Sequence, residues 1–295
     1  MGTRDWDLRH YRLLAALAAE GSIGAAARAT GMAQPNASRL LEQMERSAGF
    51  PLARRAPRGT ALTDRGRVVA GLAAEIVEAA ESLTRAVAAL EGARGSLHLC
   101  ASLTVAEHLM PGWLAAAQQR LAGVTTTLDV GNSDEVFDRV RAGSADLGFV
   151  EGPTLRTGFR YLEVGRDELV VIVSPDHPWA HSPEVEPQAV ASAGLVVREP
   201  GSGTRQTADL ALAEFGTGPR FEVGSNAALA ASVAAGLGPG VVSRLAVQAA
   251  LRGGRLVEVP APGLKLARVL RAVWHSGTPL GAAARDFLEI VTAVR

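Results

Sequence analysis

Apolar positions in the first fifty residues recur at helical spacing. Leu8, Tyr11, Leu14, Ala15 and Ala18 predict a first helix over 8–19, which Glu20-Gly21 ends. Ser22 can cap a second helix over 23–30 by accepting from an orphan backbone N–H. Gly31 then permits a sharp turn. A third helix starts near Gln34-Pro35, where the missing proline N–H has no intrahelical partner to lose, and runs to about Ala48. The stretch from Pro51 to Leu62 reads as a short hairpin. From Thr63 to Glu91 there is no proline, and Val69, Ala73, Ile76, Ala80, Leu83, Val87 and Leu90 alternate at steps of four and three. That is a coiled-coil seam. At about 1.5 Å per residue it makes a rod of about 45 Å. Such a stripe on a lone rod would face water, so the spacing predicts pairing with a second copy. Packing of the stripe on its own chain is the alternative. Gly92-Ala93-Arg94-Gly95 breaks the helix.

Beyond residue 95 short apolar runs alternate with helical stretches. Strands are expected over 97–101, 126–130, 147–150, 169–173, 195–197, 221–223, 240–242, 256–259 and 269–274. Helical patterns lie between most of them, as at 105–120, 134–142, 207–215 and 227–235. This alternation predicts parallel sheets with right-handed crossovers.

Composition sharpens the picture. A chain of 295 residues is expected to hold two or three domains. Its apolar share of 47% excludes a disordered protein, and 4% aromatics means that Ala, Val and Leu must build the cores. Formal charge is zero, yet residues 1–66 carry ten arginines against six acids, a local excess of +4. A basic end on an acidic body suits a phosphate-facing module. Lys265 is the only lysine, and a GC-rich genome accounts for that better than function does. Cys100 stands alone, so no disulfide framework forms within the chain, and its strand-like neighbours make it a small core residue. The polar start and the lack of a long apolar run predict a cytoplasmic protein without a membrane partner.

The chemistry of the first 62 residues is that of a helix-turn-helix. Ala27 is small where two helices approach, Gly31 sits at the turn, and Ala37 faces inward. Gln34, Pro35, Asn36, Ser38 and Arg39 crowd the start of the third helix, the end that enters the major groove in such motifs, with Ser22 nearby. Gln and Asn can read adenine, Arg can read guanine, and Ser can hold phosphate. A plain three-helix bundle with solvated polar residues fits the helix spacing equally well. The hairpin tips the balance, because Arg54, Arg55 and Arg58 at its tip would form a basic wing that clamps phosphate.

The order and spacing of Glu20-Gly21-Ser22-Ile23, Ala26-Ala27, Gln34-Pro35-Asn36-Ala37-Ser38-Arg39, Met44-Glu45, Gly49-Phe50-Pro51-Leu52, Arg55, Leu62-Thr63 and Gly66 resemble the LysR-type transcriptional regulators. The chain departs from that pattern at Thr30, Ala33, Ala37 and Ala53, where the family usually has a large apolar residue, Ser or Thr, a larger aliphatic and Phe. Residues 95–295 resemble the family's effector domain through Gly95-Ser96-Leu97, Ala101-Ser102-Leu103-Thr104, Gly131-Asn132-Ser133, Ala145–Gly152, Arg198–Arg205 and Gly236-Leu237-Gly238. The resemblance implies an α/β protein: a winged helix-turn-helix over 1–62, a linker and dimerisation helix over 63–92, and a two-lobed Rossmann-like domain of the periplasmic-binding-protein kind over 95–295. One lobe would be 95–163 with 268–295 and the other 166–264, joined by a two-crossing hinge. It also implies double-stranded DNA and a small-molecule effector as partners, and a homodimer or homotetramer, with the tetramer favoured.

The residues alone also place a ligand cleft. Ser102 and Thr104, Asn132 and Ser133, Gly203 and Thr204, and Asn226 all lie where a strand turns into a helix. Ligands of open parallel sheets sit beyond such strand ends, and helix N-termini favour anions. The expected ligand is a small carboxylate or oxyanion. Glu151, at a strand end, either limits anions or accepts from a hydroxyl or amine. Taken singly, each Ser, Thr or Asn is explained by helix capping; the gathering of turns favours a site. Gly201-Ser-Gly-Thr lacks the lysine of a phosphate loop, His177 and His181 lack metal-ligand spacing, and no serine-hydrolase elbow occurs. No catalytic residue, metal or cofactor is therefore expected. The rival reading is a two-lobed solute-binding protein or enzyme that uses its N-terminus only to oligomerise.

Overall fold

In a computed structural model, which describes residues 6–56, 59–90, 95–216, 218 and 220–294, the chain divides between Arg85 and Ala86 into two units. The first begins with α1 (Leu8–Glu20), whose N-cap Asp7 accepts from the Arg9 N–H at 2.9 Å, while His10 Nδ1 accepts from the Asp7 N–H at 3.0 Å. Gly21, at φ 67°, closes it. The Ser22 hydroxyl accepts from Ala25 N and starts α2 (Ile23–Ala29), and Gly31 turns the chain at φ 68°. α3 (Gln34–Ala48) follows, with Ala33 at its N-cap making no side-chain cap bond. Its inner face is Ala37, Leu41, Met44 and Ala48, of which the first three pack with Leu13, Leu14, Leu17, Ala26 and Ala27. The Thr30 hydroxyl, in place of an apolar group, is satisfied by the Ala26 carbonyl at 2.8 Å.

The hairpin consists of β1 (Ala53–Ala56) and β2 (Gly59–Leu62), paired antiparallel. Its base is pinned by Glu45, whose Oε1 accepts from the Leu52 and Ala53 N–H groups at 2.8 and 3.0 Å. The Thr63 hydroxyl accepts from Gly66 N and starts α4 (Asp64–Leu90). The predicted seam is divided in use. Val69 and Ala73 pack on the head's own core with Ala70, whereas Ile76, Leu83 and Val87 of the seam are exposed, as are Val68 and Leu72 next to it on the helix. The first turns of α4 must bury a face against the helix-turn-helix, and this takes two of the seven seam positions.

The second unit begins with β3 (Ser96–Ser102), α5 (Leu103–His108) and α6 (Met110–Ala117). The single helix expected over 105–120 is thus broken at Leu109, and Pro111 explains the break: it lacks the N–H that would bond back to the Glu107 carbonyl and continue one helix. β4 (Thr125–Gly131), α7 (Ser133–Ala142) and β5 (Leu147–Val150) complete the run. Next come β6 (Phe159–Val173), α8 (Pro187–Ser192), β7 (Leu195–Arg198), α9 (Gly203–Leu212), β8 (Arg220–Val223), α10 (Asn226–Ala234), β9 (Gly240–Ser243), α11 (Arg244–Arg252), β10 (Val257–Val259), β11 (Ala267–His275) and α12 (Ala282–Ala293).

The strands lie in the order β4-β3-β5-β11-β6-β9-β7-β8, with β10 also on β6. β3–β4, β3–β5, β7–β8 and β7–β9 are parallel, as expected. The central pairs are not: β11 runs antiparallel to β5 and β6, and β6 antiparallel to β9 and β10. The reason is the fifteen-residue β6, twice as long as a single-sheet strand needs. Its first part pairs with β11 from Phe159 to Glu168, and its second with β9 from Leu169 to Ile172. β6 and β11 are therefore the two crossings between lobes. Each lobe has core on both sheet faces. Trp113, Phe149 and Phe287 centre one face and Val136, Phe137 and Val140 the other; Val171, Val190 and Leu195 face Ile172, Leu229 and Val233 across the second sheet.

Candidate functional site

On the helix-turn-helix the polar residues singled out by the sequence share one exposed end. Gln34, Pro35, Asn36 and Arg39 are exposed at the start of α3, and Ser38 is half-buried beside them. Arg39 Nη2 donates to Asn36 Oδ1 at 3.2 Å, so the two are held as a pair with further guanidinium donors free. The Gln34 carboxamide lies against Gly24 of α2, where a Cβ would stand 3.3 Å from its Oε1. Ser22 accepts from Ala25 N through a lone pair, which leaves its proton to donate. Arg54 is exposed on β1, and the backbone of Arg55 follows it on the same strand rather than at the hairpin tip. Arg58 lies outside the described residues, as does the side chain of Arg55.

In the second unit the carboxyl ends of the parallel strands converge on a buried polar cluster. Ser102 ends β3, Glu151 follows β5, Arg198 ends β7 and Ser243 ends β9. The first turns of α5, α9 and α10 bring Thr104, Thr204 and Asn226 to the same place. At its centre is Arg268 of β11, opposite Asp167 of β6 in the ladder between the crossing strands. Arg268 Nε and Nη2 donate to Asp167 Oδ2 at 2.8 and 2.6 Å. The Ser243 hydroxyl donates to Asp167 Oδ1 at 3.0 Å. The remaining guanidinium donors reach into both lobes: Nη2 to Thr104 Oγ1 at 3.2 Å and Nη1 to Thr204 Oγ1 at 3.1 Å. Thr204 donates in turn to Glu151 Oε1 at 3.3 Å, and Arg268 Nη1 lies 3.4 Å from that same oxygen.

A second chain of bonds crosses between lobes. Asn226 Nδ2 donates to Thr104 Oγ1 at 3.1 Å, and Asn226 Oδ1 accepts from Arg198 Nη1 at 2.6 Å. Arg198 is held by Glu199 through two bonds of 2.8 Å. The lobes are shut on each other here. Asp134 N donates to the Gly201 carbonyl at 3.2 Å, and a Cβ on Gly203 would lie 2.6 Å from Gly152 N. Gly203 is thus a position of close approach between lobes.

Of the residues expected from sequence, Ser102, Thr104, Glu151, Gly203, Thr204 and Asn226 come together in this cluster. Ser133 is buried beside it, its hydroxyl 3.5 Å from Glu151 N. Asn132 is committed elsewhere: it forms a capping box with Glu135, at 3.0 and 2.9 Å, at the lobe contact near Gly201. Arg198, Asp167, Arg268 and Ser243 were missed. Arg198 stood in the motif over 198–205, and an arginine at a strand end was its available signal. Asp167 and Arg268 carried none, because their meeting depends on a strand pairing 101 residues apart in the chain.

Among the described residues, no group of three or more His, Cys, Asp or Glu side chains is gathered as a metal ion would need, and no helix is long and apolar enough to cross a membrane. Cys100 is buried, and burial pushes its thiol up to about 11, so it stays protonated at neutral pH.

Comparison with known proteins places the chain in a family. Residues 8–67 match the model for bacterial regulatory helix-turn-helix proteins of the lysR family, and residues 90–295 match the LysR substrate binding domain. An HTH-type transcriptional regulator of Mycobacterium tuberculosis is 42% identical over 298 residues, covering 96% of this chain and 95% of its own. A RuBisCO operon transcriptional regulator of Allochromatium vinosum is 31% identical, covering 96% of this chain and 95% of its own. Among solved structures, the Synechocystis CcmR regulatory domain in complex with 2-PG matches 68% of this chain and 97% of its own at TM-score 0.62 and 26% identity. The fold of full-length CbnR complexed with its target DNA matches 98% of this chain and all of its own at TM-score 0.69 and 20% identity. With both of its parts matched by models of one family, this chain belongs to the LysR-type transcriptional regulators.

Proposed function

We propose that this regulator reads DNA through the start of α3 and the arginines of the hairpin, and that a small carboxylate or oxyanion held between the lobes of the second unit alters that reading. On DNA, Gln34, Asn36 and Arg39 contact base edges, while Ser22, Ser38, Arg54, Arg55 and Arg58 hold phosphates, with Pro35 fixing the helix start. The working domains are 1–62, 63–92 and 95–295, the last with lobes 95–163 with 268–295 and 166–264. The exposed stripe of Leu72, Ile76, Leu83 and Val87 supports a homodimer or homotetramer. The protein works in the cytoplasm, without a cofactor, and catalyses no reaction.

The observation that carries the effector reading is the reach of one buried guanidinium into both lobes. Arg268 bonds Thr104 and Thr204 at once, so whatever binds among these groups acts on lobe closure. Ser102, Thr104, Ser133, Glu151, Gly203, Thr204 and Asn226 would form the effector site, with Asn132 at its rim. A gel shift on the DNA upstream of the chain's own gene tests the DNA half. Gln34→Ala and Arg39→Ala should each weaken binding about tenfold or more, since a bidentate base contact contributes about 1–3 kcal/mol. Undiminished binding by both variants would remove α3 from the interface.

A further inference from the structure

Glu151 is a charged residue in the cleft whose bonding is incomplete. Its side chain is 2% exposed, and its Oε2 has no hydrogen-bond partner. Its other oxygen accepts from Thr204 and faces Arg268. An ionised carboxylate can only accept, so the open oxygen calls for a donor. Leaving such a group buried and unpaired costs stability. Neutralising Arg268 does not explain Glu151, because Asp167 already does so through two shorter bonds. Ser102 supplies the complementary vacancy: its hydroxyl is fully buried, has no partner, and can donate to an anion.

We infer that the effector is an acid that also carries a hydroxyl or ammonium donor, with Glu151 accepting from that donor while Ser102 and its neighbours hold the acid. The inference rests on the reading of this cleft as the effector site and narrows the class of ligand it takes. Glu151 is then the residue that sorts hydroxy and amino acids from plain acids of the same skeleton.

Matched sets test it by calorimetry on the full-length protein: propionate, lactate and alanine; succinate, malate and aspartate; acetate, glycolate and glycine. In at least one set the hydroxy or amino member should bind about tenfold or more tighter than the plain acid, the scale of a hydrogen bond to a charged group. Glu151→Gln, which can donate as well as accept, should erase that preference and improve the plain acid. Binding of plain acids as tight as their hydroxy and amino partners in the wild type overturns the donor requirement and leaves an acid-binding cleft standing. Retention of the preference in Glu151→Gln removes Glu151 from it. No binding by any of the nine contradicts both the donor requirement and the acid-binding cleft. The wild-type comparison decides the matter even if the variant does not fold.

Discussion

A Cβ at Gly66 would stand 1.9 Å from the Leu52 carbonyl oxygen, the same backbone group that Thr63 N uses to join α4 to the hairpin. No side-chain rotation relieves a clash with backbone, so Gly66→Ala should destabilise the head by about 1–3 kcal/mol or more. Urea unfolding of the full chain would measure it, and an unchanged first transition would show that the hairpin base can shift freely. Cys100 gives a second single-residue test. Held protonated and enclosed, it should react with Ellman's reagent only after denaturation, one thiol per chain; rapid labelling of the folded protein would contradict its burial. At this scale the sequence was readable where a residue's chemistry is local. Gly21, Ser22 and Gly31 act on their immediate neighbours, and their roles follow from type and position. Asp167 and Arg268 act on each other across strands far apart in the chain, and nothing adjacent to either announces the pair.

Among the elements, β6 and β11 carry the central ion pair of the cleft; β11 lies within two residues of the strand expected over 269–274, whereas β6 starts ten residues before the strand expected over 169–173. The first half of β6 carries Arg160, Glu163, Arg166 and Asp167, so its apolar signal begins only near Leu169. A short buried strand such as β5 is uniformly apolar and was placed at its observed bounds. The salt bridge that links the crossing strands has a measurable consequence. Asp167→Ala leaves Arg268 charged and buried without its closest partner, a loss of about 3–5 kcal/mol to the effector unit. Combining it with Arg268→Met should recover most of that loss in denaturant titrations, and a double variant as weak as the single one would mean that packing, not charge, holds the crossing. On α4 the seam was readable in period but not in partner, because Val69 and Ala73 turn toward the head. The stripe that remains predicts that Leu72→Glu with Leu83→Glu yields the 30.6 kDa single chain in sedimentation. Retention of the wild-type mass would assign self-association to another surface.

At the scale of the whole molecule, one chain carries a basic head and a sensor whose two lobes are tied by shared polar bonds. In the proposed reading the head offers guanidinium groups to phosphate, and the sensor's cleft must part for a ligand to enter, since Ser102, Thr104, Thr204 and Asn226 are all enclosed. Differential affinity of a ligand for open and closed lobes is what can change DNA binding. The most direct test of the central claim, that this chain grips DNA through its head, is the salt dependence of its affinity for the duplex upstream of its gene. Binding should fall steeply and linearly in log–log form as salt rises, and Arg54→Ala should flatten the slope by about one. An affinity for duplex that is absent, or indifferent to salt, would contradict it.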